Sequence, residues 1–195
     1  MTRVYFVRHA QPDFEWADDR TRPLTAEGKS DGRLVLDVLS GKRIDAFYCS
    51  PYLRSMDTIS DTAEFFGKEI ITDERLRERV KGSQGSNGSE MYRKRWENLD
   101  FHEDNGESIG MVQKRNIEAL FEILNKEKGK NIVIGTHGTA LSSILNYFDP
   151  DFGLNDFLRI IDWMPYVIEL DFEGLTLVSK AELGHIEKAF TAKAR

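Results

Sequence analysis

The chain has 195 residues, a length that suits one domain with a core of its own. Hydrophobic residues make up 40 % of it and charged residues 31 %, and the net charge of −6 argues against a nucleic-acid face or an anionic-membrane face. A single cysteine, Cys49, excludes an intrachain disulfide, and no apolar stretch approaches the roughly 20 residues a membrane-spanning helix needs.

Met-Thr-Arg opens the chain with no charged leader or cleavage-type segment, so the expected compartment is the cytoplasm. Val4-Tyr5-Phe6-Val7 is a short apolar, β-rich run and reads as a buried strand. A polar loop follows, with Pro12 and Pro23 inside it. Thr25 reads as a helix N-cap with Glu27 in the first turn, and that helix ends at Gly41. Ala46 to Cys49 is the second strand, with Cys49 a buried small hydrophobe. Ser50-Pro51 then opens a helix, with proline at the permitted first turn and Gly67 closing it.

Ile70-Ile71 is a third, weaker strand, and Asp73 to Arg79 a charged run. From Arg79 to about Asn105 the periodicity dissolves, and Gly82, Gly85 and Gly88 mark a flap, since long connections tend to be lids or binding loops. Within it, Arg93-Lys94-Arg95 reads as an exposed helix face, one charge of which reaches a substrate carboxylate or phosphate. Helical spacing returns from Ser108 to Lys126. Ile132-Val133-Ile134 is a buried strand, Gly138 to Tyr147 a helix, and Tyr166–Asp171 with Leu175–Val178 a hairpin around Glu173-Gly174. This order predicts one α/β domain over 1–195. Its sheet is mixed and mainly parallel, with helices on both faces and a flap inserted at 79–105.

In such a sheet ligands bind beyond the carboxyl ends of the strands. Arg8 and His9 follow the first strand, Ser50 and Arg54 the second, Arg77 and Glu78 the third, and Thr136, His137 and Gly138 the fourth. Arginines compensate a phosphate dianion through paired hydrogen bonds, and their charge keeps a neighbouring imidazole neutral and nucleophilic. In that scheme His9 attacks phosphorus, His137 donates to the phosphoryl oxygens and Glu78 protonates the leaving oxygen. Singly, each residue is ordinary: Arg54 suits a solvated helix and Glu78 a wet loop. Their shared placement after strands carries the reading, helped by Gly138, which permits close approach.

Taken together, Val4 to Ala10, Leu24-Thr25-Ala26-Glu27-Gly28, Ser50-Pro51-Tyr52-Leu53-Arg54 with Thr58, Leu76-Arg77-Glu78, Gly106-Glu107-Ser108 and Thr136-His137-Gly138 resemble the histidine phosphatase superfamily, its phosphoglycerate mutase-like branch. The resemblance implies phosphoryl transfer through phosphohistidine with no metal and no other cofactor. It casts His9 as nucleophile, Arg8, Arg54 and His137 as phosphate ligands, and Glu78 as proton donor. The chain departs from the family pattern in three places. No asparagine follows the first motif, so Gln11 stands in as a neutral donor; Ala10 replaces glycine; and Arg79-Val80-Lys81-Gly82 follows the acid where mutases carry a tyrosine-containing run. These departures favour a phosphatase acting on a small phosphorylated substrate over a phosphoglycerate mutase, and nothing in the sequence sets an oligomeric state.

Rival motifs carry less. Gly106-Glu107-Ser108-Ile109-Gly110 fits a serine-hydrolase elbow, but the polar Asp100–Asn105 before it is no strand, so Ser108 reads as an N-cap. The glycine cluster lacks the Gly-Lys-Ser/Thr of a phosphate loop, and His102-Glu103-Asp104 lacks metal-ligand spacing. A non-catalytic phospho-ligand module is the rival of another class, and the presence of both histidines, both arginines and the glutamate argues against it.

Overall fold

Alternation along β1 (Thr2–Arg8) sends Val4 and Phe6 to one side of a sheet and Tyr5 and Val7 to the other, and all four are buried. A strand hydrophobic on both sides needs cover on both, which is the condition of a parallel sheet between helices. The computed structural model describes residues 1–83 and 88–188, so Gly85 of the glycine cluster lies outside the described residues.

The sheet has six strands in the order β3-β2-β4-β1-β5-β6. β1, β2 (Ala46–Cys49), β3 (Ile70–Thr72) and β4 (Asn131–Thr136) run parallel, while β5 (Trp163–Glu173) and β6 (Thr176–Glu187) form an antiparallel hairpin beside β1. The fold is thus α/β with a mixed sheet flanked by helices. Val35, Leu39 and Ile59 cover one face, from α2 (Arg33–Leu39), which follows α1 (Ala26–Asp31), and from α3 (Leu53–Phe65). Leu120, Leu124, Leu141 and Ile144 cover the other, from α5 (Ile109–Lys126) and α6 (Gly138–Phe148). Among the described residues no helix is long and apolar enough to cross a membrane.

Several boundaries differ from the sequence expectation. The first helix is in two pieces, because Val35 N–H reaches Gly32 O, three residues back, and the turn tightens there. The second begins at Leu53, not at Pro51. Ser50 N–H still extends the sheet to Gly135 O, and the N–H groups of Ser55 and Met56 converge on Tyr52 O. Of the hairpin strands β5 is longer at both ends than alternation suggested and β6 runs on past Val178 to Glu187, with bulges in their pairing. α4 (Ser89–Glu97) contains the helix face read at Arg93-Lys94-Arg95, and α7 (Leu154–Ile160) appears where no helix was expected. They meet through Tyr92, Trp96 and Phe157, with ring centroids 5.3 and 5.5 Å from Phe157. The basic trio on α4 divides: Arg93 and Lys94 are exposed, whereas Arg95 is buried and paired with Glu103. Glu103 is itself buried between Arg95 and Arg79.

The Leu24-to-Gly28 motif has a packing reason. Thr25 caps α1 by accepting from Gly28 N–H at 2.9 Å, and Gln11 O takes Thr25 N–H at 3.0 Å. Gly28 is buried so close to Gln11 that a Cβ there would collide with the Gln11 backbone carbonyl. Gly28→Ala is therefore expected to cost about 2–3 kcal/mol by overpacking, a fall in Tm of about 5–10 °C for a chain of this size. Calorimetry checks this, and an unchanged Tm would mean the loop yields freely.

Candidate active site

Parallel register sets the ends of β1, β2 and β4 level: Arg8 pairs with Thr136 and Cys49 with Gly135. His9, Ser50 and His137 each come one residue later and so gather at one edge. The His9 and His137 rings lie edge to face with centroids 5.3 Å apart. Both side chains are buried, and Arg8 and Arg54 beside them are buried too.

His9 is held from behind. Its Nδ1 lies 2.7 Å from Ala10 O, and a carbonyl can only accept, so Nδ1 carries the proton and Nε2 keeps its lone pair. Ala10 N–H in turn donates to Thr58 Oγ1 at 2.9 Å, and Thr58 donates to Arg54 O at 2.7 Å. The Ser-Pro-x-x-Arg-x-x-x-Thr spacing thus places Arg54 and the brace for His9 on one face of α3, one turn apart. Burial, followed by the charges of Arg54 and Arg8, keeps the pKa of His9 well below the ordinary 6.5.

His137 Nε2 meets Ser50 Oγ at 2.7 Å, and that oxygen accepts from Tyr52 N–H at 3.3 Å. With Ser50 donating its hydrogen to Nε2, the His137 proton stands on Nδ1. Burial, then Arg54 and His9, also hold the His137 pKa well below 6.5. Both rings are therefore expected to give the nitrogen shifts of neutral imidazole at about pH 6, where an ordinary histidine is mostly protonated. Unfolding returns each to about 6.5, so the unfolded chain binds more protons below that pH. The stability tied to these rings is full above about pH 6.5 and is lost as pH falls toward their folded values. A nitrogen titration with a midpoint near 6.5 would contradict the arrangement.

Arg8 lies flat against Gly138, where a Cβ would stand 3.3 Å from the guanidinium carbon. Its Nη1 donates to Ile160 O at 2.7 Å, and burial lowers its pKa to about 10 against the opposing pull of Glu78. Arg54 donates to Asp19 O at 2.6 Å and lies 3.3 Å from the Asp19 carboxylate, which Arg22 also holds at 2.7 Å. The Glu78 carboxylate sits at the start of α6, accepting from Thr139 N–H at 3.0 Å, Ala140 N–H at 3.2 Å and Arg79 N–H at 2.8 Å.

Of the residues singled out in the sequence, Arg8, His9, Arg54, Glu78 and Gly138 line one cavity of about 100 Å³. His137 adjoins it through the His9 ring, wholly buried. Gln11 does not line it; its side-chain oxygen accepts from the Thr25 hydroxyl at 3.3 Å, which braces α1. Sequence reasoning missed Arg22, Arg79, Lys81 and Tyr92 on the walls, and of the basic trio it is Arg95, not Arg93, that lines the cavity. None of these belongs to a motif: Arg22 comes in on the 13–22 loop, Arg79 and Lys81 on the segment after Glu78, and Tyr92 and Arg95 on α4. Six cationic side chains (Arg8, Arg22, Arg54, Arg79, Lys81, Arg95) face two anionic ones (Asp19, Glu78), a positive cup in an acidic chain. Among the described buried groups, Arg8 Nε and His137 Nδ1 have no hydrogen-bond partner within the protein.

Two other readings are settled by placement. Ser108 is 1 % exposed and accepts from Met111 N–H at 3.0 Å as the N-cap of α5, with no strand before it. Cys49 is wholly buried, and burial pushes its thiol up to about 12.

The model of the histidine phosphatase superfamily (branch 1) matches residues 4–175. A putative phosphoserine phosphatase 2 of Hydrogenobacter thermophilus is 27 % identical over 164 residues, covering 74 % of this chain and 77 % of its own. A probable phosphoglycerate mutase GpmB of Serratia proteamaculans is 31 % identical over 159 residues, 75 % of this chain and 74 % of its own. Among solved structures, a phosphoserine phosphatase of Entamoeba histolytica in complex with 3-phosphoglyceric acid superposes with a TM-score of 0.76 at 19 % identity, covering 98 % of this chain and 100 % of its own. At that identity the match speaks for the fold.

Proposed function

The chain belongs to the histidine phosphatase superfamily (branch 1), and from that membership we propose that it hydrolyses small phosphomonoesters through a phosphohistidine on His9. The observation that carries the reading is the state of His9: a neutral ring with Nδ1 tied to Ala10 O at 2.7 Å, its other nitrogen left as nucleophile among two buried arginines.

Nε2 attacks phosphorus and the bond to the leaving oxygen breaks, its electron pair going to that oxygen. Glu78 supplies the proton. Water then attacks the phosphohistidine, Glu78 takes up its proton, the N–P bond breaks and His9 is restored. Arg8, Arg54 and His137 balance the charge on the phosphoryl oxygens, and the unpartnered Arg8 Nε and His137 Nδ1 supply donors for that purpose.

The far wall bears on the substrate. Lys81 lines the cavity, drawn toward Asp19 and Glu78 but in no close ion pair among the described residues. It favours a leaving group that carries a second anion, such as a carboxylate, in keeping with the phosphoserine and phosphoglycerate in the names of the relatives. The test is a phosphomonoester panel in excess EDTA, with bisphosphoglycerate-dependent mutase activity measured alongside. Hydrolysis with carboxylate-bearing monoesters preferred, and a preference that falls in Lys81→Ala, is the expected result. Binding without turnover of any monoester would favour a phospho-ligand module instead, and dominant mutase activity would displace hydrolysis.

A further inference from the structure

Behind Glu78, away from the cavity, stands a group of charges that the reaction as described does not use. Arg115, on α5, turns its guanidinium onto the back of the segment that carries Glu78. Its Nη1 donates to Arg75 O at 2.7 Å and to Arg77 O at 2.6 Å, and its Nη2 donates to Glu78 O at 3.1 Å. Its Nε and Nη2 also hold the Glu107 carboxylate at 3.0 and 2.9 Å. Glu107 accepts two further bonds from Arg77, at 2.6 and 3.0 Å, and one from Val80 N–H at 2.9 Å. Its own N–H closes the loop on Val80 O at 3.0 Å.

Three carbonyl oxygens facing one point repel one another unless a planar, multiply donating cation lies between them. Guanidinium has that shape; an ammonium group does not. Glu107 compensates the charge so introduced. Burial pushes the Glu107 carboxyl up, but bonds from Arg115, Arg77 and Val80 N–H outweigh it and bring its pKa to about 2, so the clamp persists across the working range of pH. Glu78 is therefore held at two points: its backbone by Arg115 and its carboxylate by the first amides of α6. Neither Arg115 nor Glu107 lines the cavity.

We propose that Arg115, braced by Glu107, is a positioning residue for proton delivery, fixing the Arg75–Glu78 backbone so that the Glu78 carboxyl stands at the leaving oxygen. The proposal rests on the reading of Glu78 as the acid. Nucleophilic attack depends on groups anchored elsewhere, on β1, α3 and β4. A loosened Glu78 should thus spare substrates that leave without help and penalise those that need a proton.

The experiment compares kcat/KM for a nitrophenyl phosphate, whose phenolate leaves unaided, with that for an alkyl phosphate of similar size. Wild type, Glu78→Gln, Arg115→Lys and Arg115→Ala are measured, each checked for folding by its melting curve. The alkyl-to-aryl ratio is expected to fall about 10²-fold in Glu78→Gln. It is expected to fall about 10-fold or more in Arg115→Ala, less in Arg115→Lys, with the aryl kcat/KM, which ends at phosphorylation of His9 and so leaves out the Glu78-assisted attack of water, within about 3-fold of wild type. A ratio that holds in folded Arg115 variants while Glu78→Gln shifts it overturns the positioning role alone. A ratio that holds in Glu78→Gln overturns the acid assignment, and the inference falls with it. Where Arg115→Ala does not fold, Arg115→Lys decides.

Discussion

Replacing His9 with alanine is expected to lower phosphomonoester hydrolysis by on the order of 10⁴-fold or more, with KM changed far less. In the proposed reaction the imidazole is the nucleophile of the first step and the leaving group of the second, so neither step has a substitute path. Binding survives because Arg8 and Arg54 keep their own anchors, Ile160 O and the Asp19 loop. The structural cost is small: Ala10 O loses one donor, worth about 1 kcal/mol. A melting curve near that of wild type with activity gone is the expected pair of results. Residual turnover within tenfold of wild type would remove His9 from the reaction.

The second large effect is at Arg8. Arg8→Met is expected to cut kcat/KM by about 10²–10³-fold, the usual loss when one buried donor to developing charge is removed. Stability should move little. The variant leaves Ile160 O without its 2.7 Å partner, a cost of about 1–2 kcal/mol. It also removes a charge that burial disfavours, as the lowered pKa of about 10 records, and a buried ion replaced by an apolar chain of similar volume often returns about 1–4 kcal/mol. The balance is near zero, so Tm is expected to stay within about 4 °C. Activity and Tm falling together would make Arg8 a structural brace instead.

How much of this could be read in the chain follows from where each signal lives. β1, β2 and β4 are runs buried on both faces, and such runs are visible as unbroken apolar stretches. Because those strands are parallel and in register, residues that follow them must meet, which is why His9, Ser50 and His137 were legible as one group. Glu78 was reached from its place after the third strand and again through its motif, but the contacts that hold it were not. Its placement depends on Arg115, 37 residues later, and on α6, and no local pattern announces either contact. α4 and α7 are short, and their pairing through Tyr92, Trp96 and Phe157 is a tertiary event. The same event turned Arg95 inward from a segment whose composition says solvent. Gln11 was read as a stand-in for the asparagine that the family carries after the first motif, yet its side-chain oxygen accepts from Thr25 instead of facing the cavity.

Whether a phosphoryl group ever becomes bonded to the chain, and at which atom, is read most directly by trapping. The enzyme is mixed with a radiolabelled phosphomonoester, quenched in alkali within the first turnover, digested and mapped. The account predicts label on the peptide containing His9, stable to alkali and lost in acid, and absent from His9→Ala. Label on Ser108 or on His137, or steady hydrolysis with no labelled chain at any time, would contradict it.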